Sequence, residues 1–188
     1  MNPAGPASAM NGADPQVSVI VPAYKAGATL RAAVDSLLGQ SLREIEVIVV
    51  EDACPQACTA VLDGATDPRL RVLRLPRNGG VSTARNAGMA QARADLIALL
   101  DADDISLPDR LARQVALMRQ RPELGLCAGL SHTIDEAGRR VQEARDTLRL
   151  SEPALAAVLL FLNPLTTSSF MVRRSALPAQ GFRSMLSE

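Results

Sequence analysis

The stretch Leu96-Ile-Ala-Leu-Leu-Asp-Ala-Asp-Asp104 decides the fold, because it joins an uncharged aliphatic run directly to a cluster of carboxylates. Five consecutive aliphatic residues predict a strand buried on both faces, and such strands lie in the middle of parallel sheets. The carboxylates that follow repel one another, so a positive charge is expected among them. In an extended segment Asp101 and Asp103 would project to the same side, where both could reach one Mg²⁺ or Mn²⁺ ion.

Helix capping is the alternative explanation for the polar residues in this region. Ser106 and Asp109 have the spacing of a capping pair, and Pro108 fits the first turn of a helix. Capping accounts for these residues but leaves Asp101 and Asp103 unexplained. A metal or ligand site and a purely structural role therefore both remain open from this stretch alone.

The composition excludes several classes of protein. A chain of 188 residues with 47% apolar content forms one domain with a sizeable core, and with 2% aromatic residues that core must be aliphatic. Lys and Arg total 20 and Asp and Glu total 20, so the basic excess of a nucleic-acid-binding protein is missing. We expect no nucleic-acid partner.

Two segments bear on localisation. Residues 1–16 are rich in Ala, Gly, Pro and Ser without the basic and apolar regions of a signal peptide, and they predict a disordered tail. The longest uncharged span, residues 153–172, is interrupted by Asn163-Pro164, so it predicts a short helix at 154–162 and no transmembrane segment. We expect a cytoplasmic protein, for which peripheral association with the inner face of the membrane stays open.

The cysteines are consistent with a reducing compartment. Cys54, Cys58 and Cys127 are an odd number, and no secretion signal precedes them, so free thiols are expected. A zinc site would need more ligands than the single histidine, His132, can add.

Strands and helices alternate along the chain. Aliphatic and β-branched runs predict strands at 17–21, 45–50, 70–75 and 96–100. Apolar periodicity predicts helical segments at 30–38, 59–64, 81–91 and 107–120. Later strands are expected at 124–131 and 167–172, with a turn at 136–139 between two antiparallel strands. This order predicts an α/β fold with a mostly parallel central sheet, flanking helices and a mixed C-terminal part.

Polar residues stand where three of the predicted strands end. They are Pro22-Ala23-Tyr24, Glu51-Asp52 and Asp101–Asp104. Parallel sheets bind ligands beyond the carboxyl ends of their strands, at the point where the strand order reverses. The strand interiors are apolar, so this asymmetry favours a functional site at that edge.

Four motifs extend the argument to a family: Val17-Ser-Val-Ile-Val-Pro-Ala-Tyr24, Val49-Val-Glu-Asp52, Asn78-Gly-Gly-Val-Ser-Thr-Ala-Arg-Asn-Ala-Gly88, and Leu100-Asp-Ala-Asp-Asp104 followed by Pro108-Asp-Arg-Leu111. In this order they resemble the inverting family-2 glycosyltransferases of the GT-A fold, over about Val17 to Phe182. The resemblance implies a GT-A domain at 17–188, with a nucleotide-binding half at 17–104 and the start of an acceptor-side half at 105–188. Such a domain passes a sugar from a nucleotide diphospho-sugar, most often of UDP type, to a hydroxyl of a glycan, lipid or other acceptor, as in polysaccharide biosynthesis.

The resemblance also implies roles for residues at the nucleotide. Asp52 would accept the imide N–H of uracil or thymine, and Pro22, Ala23 and Tyr24 would line the base. Arg85 would lie near the diphosphate. Its position supports this, since the Gly79-Gly80 turn leads into a helix whose N–H groups attract anions. The alternative for Arg85 is a surface cation on an Ala-rich helix.

The same resemblance implies metal-dependent chemistry. Asp103 would bind Mg²⁺ or Mn²⁺ directly, and Asp101 would contact the ribose or reach the metal through water. The chain departs from the family pattern after Asp52, where Ala53-Cys54-Pro55 replaces the usual small polar residues.

Inversion at the anomeric carbon needs a general base that takes the proton of the acceptor. In the family it is an aspartate in an acidic pair shortly after a Gly-Phe segment, here Gly181-Phe182, and Glu188 is the candidate for the first member of that pair. If Glu188 is that first member, the base itself lies just beyond the end of this sequence, so we expect this chain, as given, to transfer sugar poorly or not at all. The alternative for Glu188 is a frayed end residue. The alternative function is a catalytically incomplete nucleotide-sugar-binding or regulatory module of the same fold.

Overall fold

The computed structural model describes residues 14–142 and 165–183. Within them, six strands form one sheet in the order β3-β2-β1-β4-β8-β5, and two more form a hairpin, β6-β7. The strands are β1 (Val17–Ala23), β2 (Ile45–Glu51), β3 (Leu70–Arg74), β4 (Leu96–Leu99), β5 (Leu126–Cys127), β6 (Thr133–Ile134), β7 (Arg140–Gln142) and β8 (Met171–Arg173). The helices are α1 (Leu30–Leu38), α2 (Gly80–Gln91) and α3 (Arg110–Gln120), and 3₁₀ segments lie at Cys58–Leu62, Thr167–Ser169 and Arg174–Ala176.

The first four strands are parallel, and the sheet becomes mixed at one side. β1 pairs in parallel with β2 and β4, and β2 pairs in parallel with β3. β8 is antiparallel to both β4 and β5. The chain builds β2 and β3 on one side of β1 and then places β4 on the other side, so the strand order reverses between β1 and β4. The predicted α/β fold with a mixed C-terminal part is confirmed.

Side chains of the central strands alternate between two apolar layers. Val17, Val19 and Val21 of β1 face the layer that contains α1 and α3, while Ile20 faces the layer under α2. Helix α2 lies very close to the sheet at Gly88, where an added Cβ would come within 2.5 Å of a methyl group of Ile20. This close contact packs α2 tightly against β1 and β2.

Several element boundaries differ from the sequence-based prediction. β1 continues through Pro22 and Ala23, because β4 pairs with β1 only as far as Ile20 and the proline lies where β1 has one neighbour. Of residues 124–131 only Leu126–Cys127 form a strand, and residues 167–172 divide into a 3₁₀ segment and the start of β8. The predicted turn at 136–139 is confirmed between β6 and β7, with Gly138 at φ 75°.

The predicted capping pair is wrong. Helix α3 begins at Arg110, and its N-cap residue Asp109 makes no side-chain capping bond. Ser106 is instead buried: its Oγ accepts a hydrogen bond from Nε2 of Gln40 at 3.2 Å, and its N–H donates to Oγ of Ser36 at 3.0 Å. The Ser106 hydroxyl, which we predicted to cap α3, therefore makes a tertiary contact with the loop after α1 instead.

Three predictions fall wholly or partly outside the described residues. They are the disordered tail at 1–16, of which only residues 14–16 are described, the helix at 154–162, and the role of Glu188. Gln16, at the end of the predicted tail, donates its N–H to the carbonyl oxygen of Glu44 at 2.7 Å. Among the described residues, no helix has the length and apolar character needed to cross a bilayer.

A buried carboxylate, Glu46, ties the amino-terminal edge of the sheet together. Its side chain is 0% exposed, and it accepts hydrogen bonds from Oγ of Ser18 at 2.6 Å, the N–H of Arg93 at 2.7 Å, and the guanidinium groups of Arg93 and Arg71 at 3.0 Å. Burial raises the pKa of Glu46, but the hydrogen bonds from Ser18, Arg93 and Arg71 outweigh it, so the pKa lies below its ordinary value of 4.5.

We expect Glu46→Gln to lower the free energy of unfolding by about 3 kcal/mol near neutral pH, because it removes the charge that compensates a buried network. A pKa lowered by folding adds stability above the unfolded value of 4.5 that is lost as pH falls through the folded value. The difference between parent and variant should therefore shrink as the pH falls below 4.5. Urea unfolding across this range measures it, with Glu44→Gln at an exposed neighbouring position as the control. Equal losses for the two variants would contradict the assignment.

Candidate functional site

A groove of about 490 Å³ opens at the carboxyl ends of β1, β2 and β4. It lies at the reversal of strand order, where a parallel sheet binds its ligands. All three predicted strand ends contribute to it. Its lining residues include Pro22, Ala23, Tyr24, Lys25, Thr29, Asp52, Asn78, Gly80, Val81, Asp101 and Asp103.

Asp52 is buried, at 3% exposure, on the floor of this groove. Its Oδ1 accepts the N–H of Gly79 at 2.9 Å and its Oδ2 accepts the N–H of Gly80 at 2.8 Å. These amides stand at the start of α2, so the carboxylate itself is the anion at that helix N-terminus. The two N–H groups that we expected to be free for a diphosphate are therefore already used. Each carboxylate oxygen keeps a further lone pair for a ligand.

Arg85 supplies the positive charge expected among the carboxylates after β4. Its Nη2 donates to Oδ1 of Asp101 at 2.7 Å, and the Arg85 side chain is only 12% exposed. The alternative of a surface cation is thus wrong. Arg85 does not line the groove but lies behind Asp101, and its Nε is buried without a hydrogen-bond partner among the described residues.

The Asp101-Ala102-Asp103 segment is a turn, not the extended segment we expected. The N–H of Asp104 donates to the carbonyl oxygen of Asp101 at 3.1 Å, and Ala102 is buried beneath the turn. The turn forms because β4 ends at Leu99 and the chain must reverse toward α3. Asp101 and Asp103 both still line the groove. Within the described residues, Asp103 makes no hydrogen bond or ion pair, whereas Asp101 is committed to Arg85.

Asp104 lies in a different environment from Asp101 and Asp103. Its pKa is raised, chiefly by burial and further by the charges of Asp103 and Asp101, while a hydrogen bond with Ser168 and the charge of Arg110 oppose the rise. Arg110 donates to the carbonyl oxygen of Leu99 at 3.0 Å and to that of Ser168. Asp104 therefore belongs to the joint between β4, α3 and the 3₁₀ segment before β8.

Tyr24 and Lys25 form one rim of the groove. The Tyr24 ring is 45% exposed, and Nζ of Lys25 stands 5.2 Å from its centroid. An exposed ring beside a groove can stack on a planar ligand. Lys25 adds a cation at the same rim, where an anionic part of a ligand would be attracted.

The sequence reasoning missed two positioning contacts. Oγ of Ser168 accepts the N–H of Asp101 at 2.9 Å, and the side-chain amide of Asn78 donates to the carbonyl oxygen of Asp52 at 3.1 Å. The hydroxyl-rich run at 166–169 and the Asn before the glycine pair were visible signals. Their partners were not, because both contacts join segments that are far apart in the chain.

A third missed contact joins α2 to the last described residues. The side chain of Asn86 accepts the N–H of Phe182 and donates to its carbonyl oxygen, both at 2.8 Å. The Arg85 guanidinium lies 5.7 Å from the Phe182 ring centroid. Gly181 is required here, since its φ is 65° and an added Cβ would come within 2.4 Å of Oδ1 of Asn86. The Gly181-Phe182 segment is thereby fixed beside the groove.

The family model described as Glycosyl transferase family 2 matches residues 18–179. The chain belongs to glycosyl transferase family 2. The match spans β1 to the residues after β8, and so includes every strand end that builds the groove. The resemblance inferred from the four motifs is confirmed.

Family-2 relatives include the succinoglycan biosynthesis protein ExoO of Rhizobium meliloti (strain 1021), which is 35% identical over 161 residues. This alignment covers 86% of the chain but 44% of ExoO, so the chain spans less than half the length of that relative. ExoO takes its name from the biosynthesis of a polysaccharide.

Two solved structures share the fold of this chain. S. aureus TarS 1–349 in complex with UDP-GlcNAc matches with a TM-score of 0.58 and 25% identity, over 68% of this chain and 37% of TarS. The mannosyltransferase PcManGT from Pyrobaculum calidifontis, in complex with GDP-Man and Mn²⁺, matches with a TM-score of 0.55 and 25% identity, over 61% of this chain and 35% of that one. The GT-A architecture predicted for the chain is confirmed.

Proposed function

We propose that this chain binds a nucleotide diphospho-sugar of UDP type in the groove and serves an inverting, metal-dependent transfer of its sugar to a hydroxyl acceptor. The observation that carries the proposal is that Asp101 and Asp103 line the same groove as Asp52 and Tyr24. Charged groups for a diphosphate and polar and aromatic groups for a base thus lie in one cavity.

Three parts of the groove lining would bind the nucleotide base. Pro22 and Ala23 supply the backbone at the end of β1, and the exposed Tyr24 ring offers a stacking surface. Asp52 would accept the imide N–H of uracil, through lone pairs that its bonds to Gly79 and Gly80 leave free. Because those bonds hold the carboxylate still, the acceptor is preorganised for the ligand.

Asp101 and Asp103 fit a divalent cation whose coordination is completed by oxygen atoms of the substrate. Mg²⁺ and ions like it are commonly bound through one or two carboxylates together with phosphate oxygens, not by a cage of protein ligands. Among the described residues no cluster of three or more His, Cys, Asp or Glu side chains could hold a metal alone, which agrees with this mode. Asp103, which has no partner among the residues that the structure describes, would be the direct ligand, and Asp101 the ribose or water-mediated contact.

Arg85 would act through Asp101. Their ion pair at 2.7 Å orients the Asp101 carboxylate toward the groove and offsets part of its charge, which leaves Asp103 the more available of the two. A bound Mg²⁺ or Mn²⁺ would supply Lewis-acid stabilisation of the charge that develops on the nucleoside diphosphate as the sugar leaves. The Lys25 ammonium, at the groove rim, would add to the attraction of the diphosphate.

The two halves of the domain have different roles in this proposal. Residues 17–104 would bind the nucleotide, and residues 105–188 would begin the acceptor side, with Glu188 as the candidate for the first member of the acidic pair that contains the general base. The Asn86 bonds to Phe182 support this arrangement, because they hold the segment before that pair against α2, whose first residue lines the groove. The acceptor would be a hydroxyl of a glycan, a lipid or another molecule.

Calorimetric titration with UDP, TDP and GDP, each with and without Mn²⁺, tests the proposal. We expect UDP to bind most tightly, with an affinity at least tenfold higher when Mn²⁺ is present. The reason is that a bound cation removes the repulsion between the diphosphate and the two carboxylates. Equal affinities with and without the metal, or no binding of any nucleotide, would overturn it.

A further inference from the structure

Cys54 and Cys58 bring their sulfur atoms unusually close together. Their Sγ atoms are 2.8 Å apart, and both residues are free thiols. Even nonbonded carbon atoms in good contact are ~3.5–4.0 Å apart, and a disulfide bond is ~2.05 Å long. The backbone supports this approach, because the left-handed Ala53, at φ 49°, turns the chain and the 3₁₀ segment that begins at Cys58 returns it.

The two thiols differ in access. Cys54 is partly exposed, while Cys58 is 5% exposed. Burial raises the pKa of the Cys58 thiol to about 11, with smaller contributions from the adjacent Cys54 thiol and the Glu51 carboxylate, and a hydrogen bond from the Ala26 backbone opposes the rise. A dissolved oxidant therefore reacts with the partly exposed Cys54 first, and the buried Cys58 is placed to attack the oxidised Cys54.

This pair contacts the wall of the groove. The N–H of Lys25 donates to Sγ of Cys54 at 3.2 Å, and the same sulfur lies 3.8 Å from the carbonyl oxygen of Ala23. Lys25 has a φ of 55°, a left-handed conformation that is costly for a residue with a side chain. The sulfur thus accepts the hydrogen bond that supports the turn carrying Tyr24 and Lys25.

We propose that Cys54 and Cys58 form a reversible intramolecular disulfide that weakens nucleotide binding in the groove. Closing the bond would move the sulfurs together by ~0.8 Å and remove both thiol protons. The support for the Lys25 amide is lost as Cys54 moves away from it. The effect on the nucleotide rests on the proposed function, whereas disulfide formation does not.

Glutathione disulfide is a sufficient oxidant. The Cys54 thiolate attacks one sulfur of glutathione disulfide, forming a mixed disulfide and releasing one glutathione thiolate, which takes a proton. Cys58 loses its proton to solvent, and its thiolate attacks the Cys54 sulfur. The Cys54–Cys58 bond forms, and the second glutathione leaves. Two protein thiols are oxidised, and one glutathione disulfide is reduced to two thiols.

The disulfide is tested by treating the chain with glutathione disulfide and mapping its peptides by mass spectrometry under non-reducing conditions. We expect a Cys54–Cys58 cross-link with the loss of two hydrogens, reversed by dithiothreitol. Cys127→Ser, which removes the buried third cysteine, should behave like the parent. Cys54→Ser and Cys58→Ser should form no intramolecular cross-link. A stable mixed disulfide on Cys54, or no modification of the pair, would overturn the proposal.

The effect on the groove has two readouts. Tyr24 is the chain's single tyrosine, so its ring signal in an NMR spectrum of tyrosine-labelled protein reports on the rim alone. We expect this signal to shift on oxidation in the parent and in Cys127→Ser, but not in Cys54→Ser, which lacks the thiol that attacks glutathione disulfide. UDP affinity in Mn²⁺ should fall at least threefold on oxidation and recover on reduction. A cross-link that moves neither the Tyr24 signal nor the affinity would contradict the regulatory role. A chain that cross-links and shifts Tyr24 but never binds UDP would contradict the proposed function instead.

Discussion

Replacing Asp103 by asparagine is expected to lower the affinity of the chain for UDP in Mn²⁺ at least about a hundredfold, or about 2.8 kcal/mol. The Asp103 side chain makes no hydrogen bond or ion pair among the described residues, whereas Asp101 is already paired with Arg85. Removing its charge takes away the ligand that would attach the cation to the protein, and the diphosphate then meets Asp101 and Asp52 unscreened. Calorimetric titration in matched buffers with and without Mn²⁺ measures the loss.

The matched control for this prediction is Asp109→Asn. Asp109 is an exposed aspartate at the start of α3, outside the groove, and its side chain makes no capping bond. It should leave UDP affinity unchanged. The metal assignment would be contradicted if Asp103→Asn bound as tightly as the parent in Mn²⁺, or if it lost the same factor when no metal was present.

Asp52→Ala has the second-largest expected effect, because it acts on stability and on binding together. Both carboxylate oxygens accept backbone N–H groups at the start of α2, and the loss of these two hydrogen bonds to a charged group costs about 3 kcal/mol of the free energy of unfolding. Urea unfolding measures that loss. Asp63→Asn, at an exposed position, is the control and should be close to neutral.

Asp52→Asn separates the two roles of this carboxylate. Asparagine keeps one oxygen that can accept an N–H of the glycine pair, so more of the fold should be retained than in Asp52→Ala. We expect UDP affinity to fall at least tenfold while the affinity for pyrophosphate with Mn²⁺ stays near that of the parent, because pyrophosphate has no imide N–H. Equal losses for both ligands would mean that Asp52 only supports the Gly79-Gly80 turn.

The sequence was sufficient for the sheet and for the place of the groove. The aliphatic runs of β1, β2 and β4 are nearly free of charge, and a run of that kind is stable only as a strand covered on both faces. Polar residues at three strand ends then had to meet at one edge of the sheet. The groove accordingly gathers Tyr24, Asp52, Asp101 and Asp103, which are well separated in the chain.

The partners of those residues could not be predicted from the sequence. A carboxylate after a strand can bind a metal, an arginine or backbone amides, and residue type alone does not distinguish them. Asp101 is paired with Arg85 and Asp52 with two glycine amides, so each is partly neutralised by the protein. Ser106 shows the same limit, since a buried Gln40 side chain competes with its expected capping role.

The cysteine loop shows how a local departure from the family pattern changes the site. Ala53-Cys54-Pro55 left the loop shape open at the sequence level, because no propensity rule fixes the approach of two cysteines separated by three residues. The left-handed Ala53 and Lys25 determine it, and they bring the dithiol against the groove wall. Asp52, directly before this loop, keeps its bonds to α2.

The most direct test of the central claim is the position of the metal in a crystal of this chain grown with UDP and Mn²⁺. We predict an anomalous difference peak at the manganese edge about 2 Å from a carboxylate oxygen of Asp103, the length of a bond between a hard divalent ion and oxygen. The diphosphate should contact that peak, and the uracil should lie between Tyr24 and Asp52. A peak away from Asp103, or a nucleotide bound outside this groove, would contradict the account.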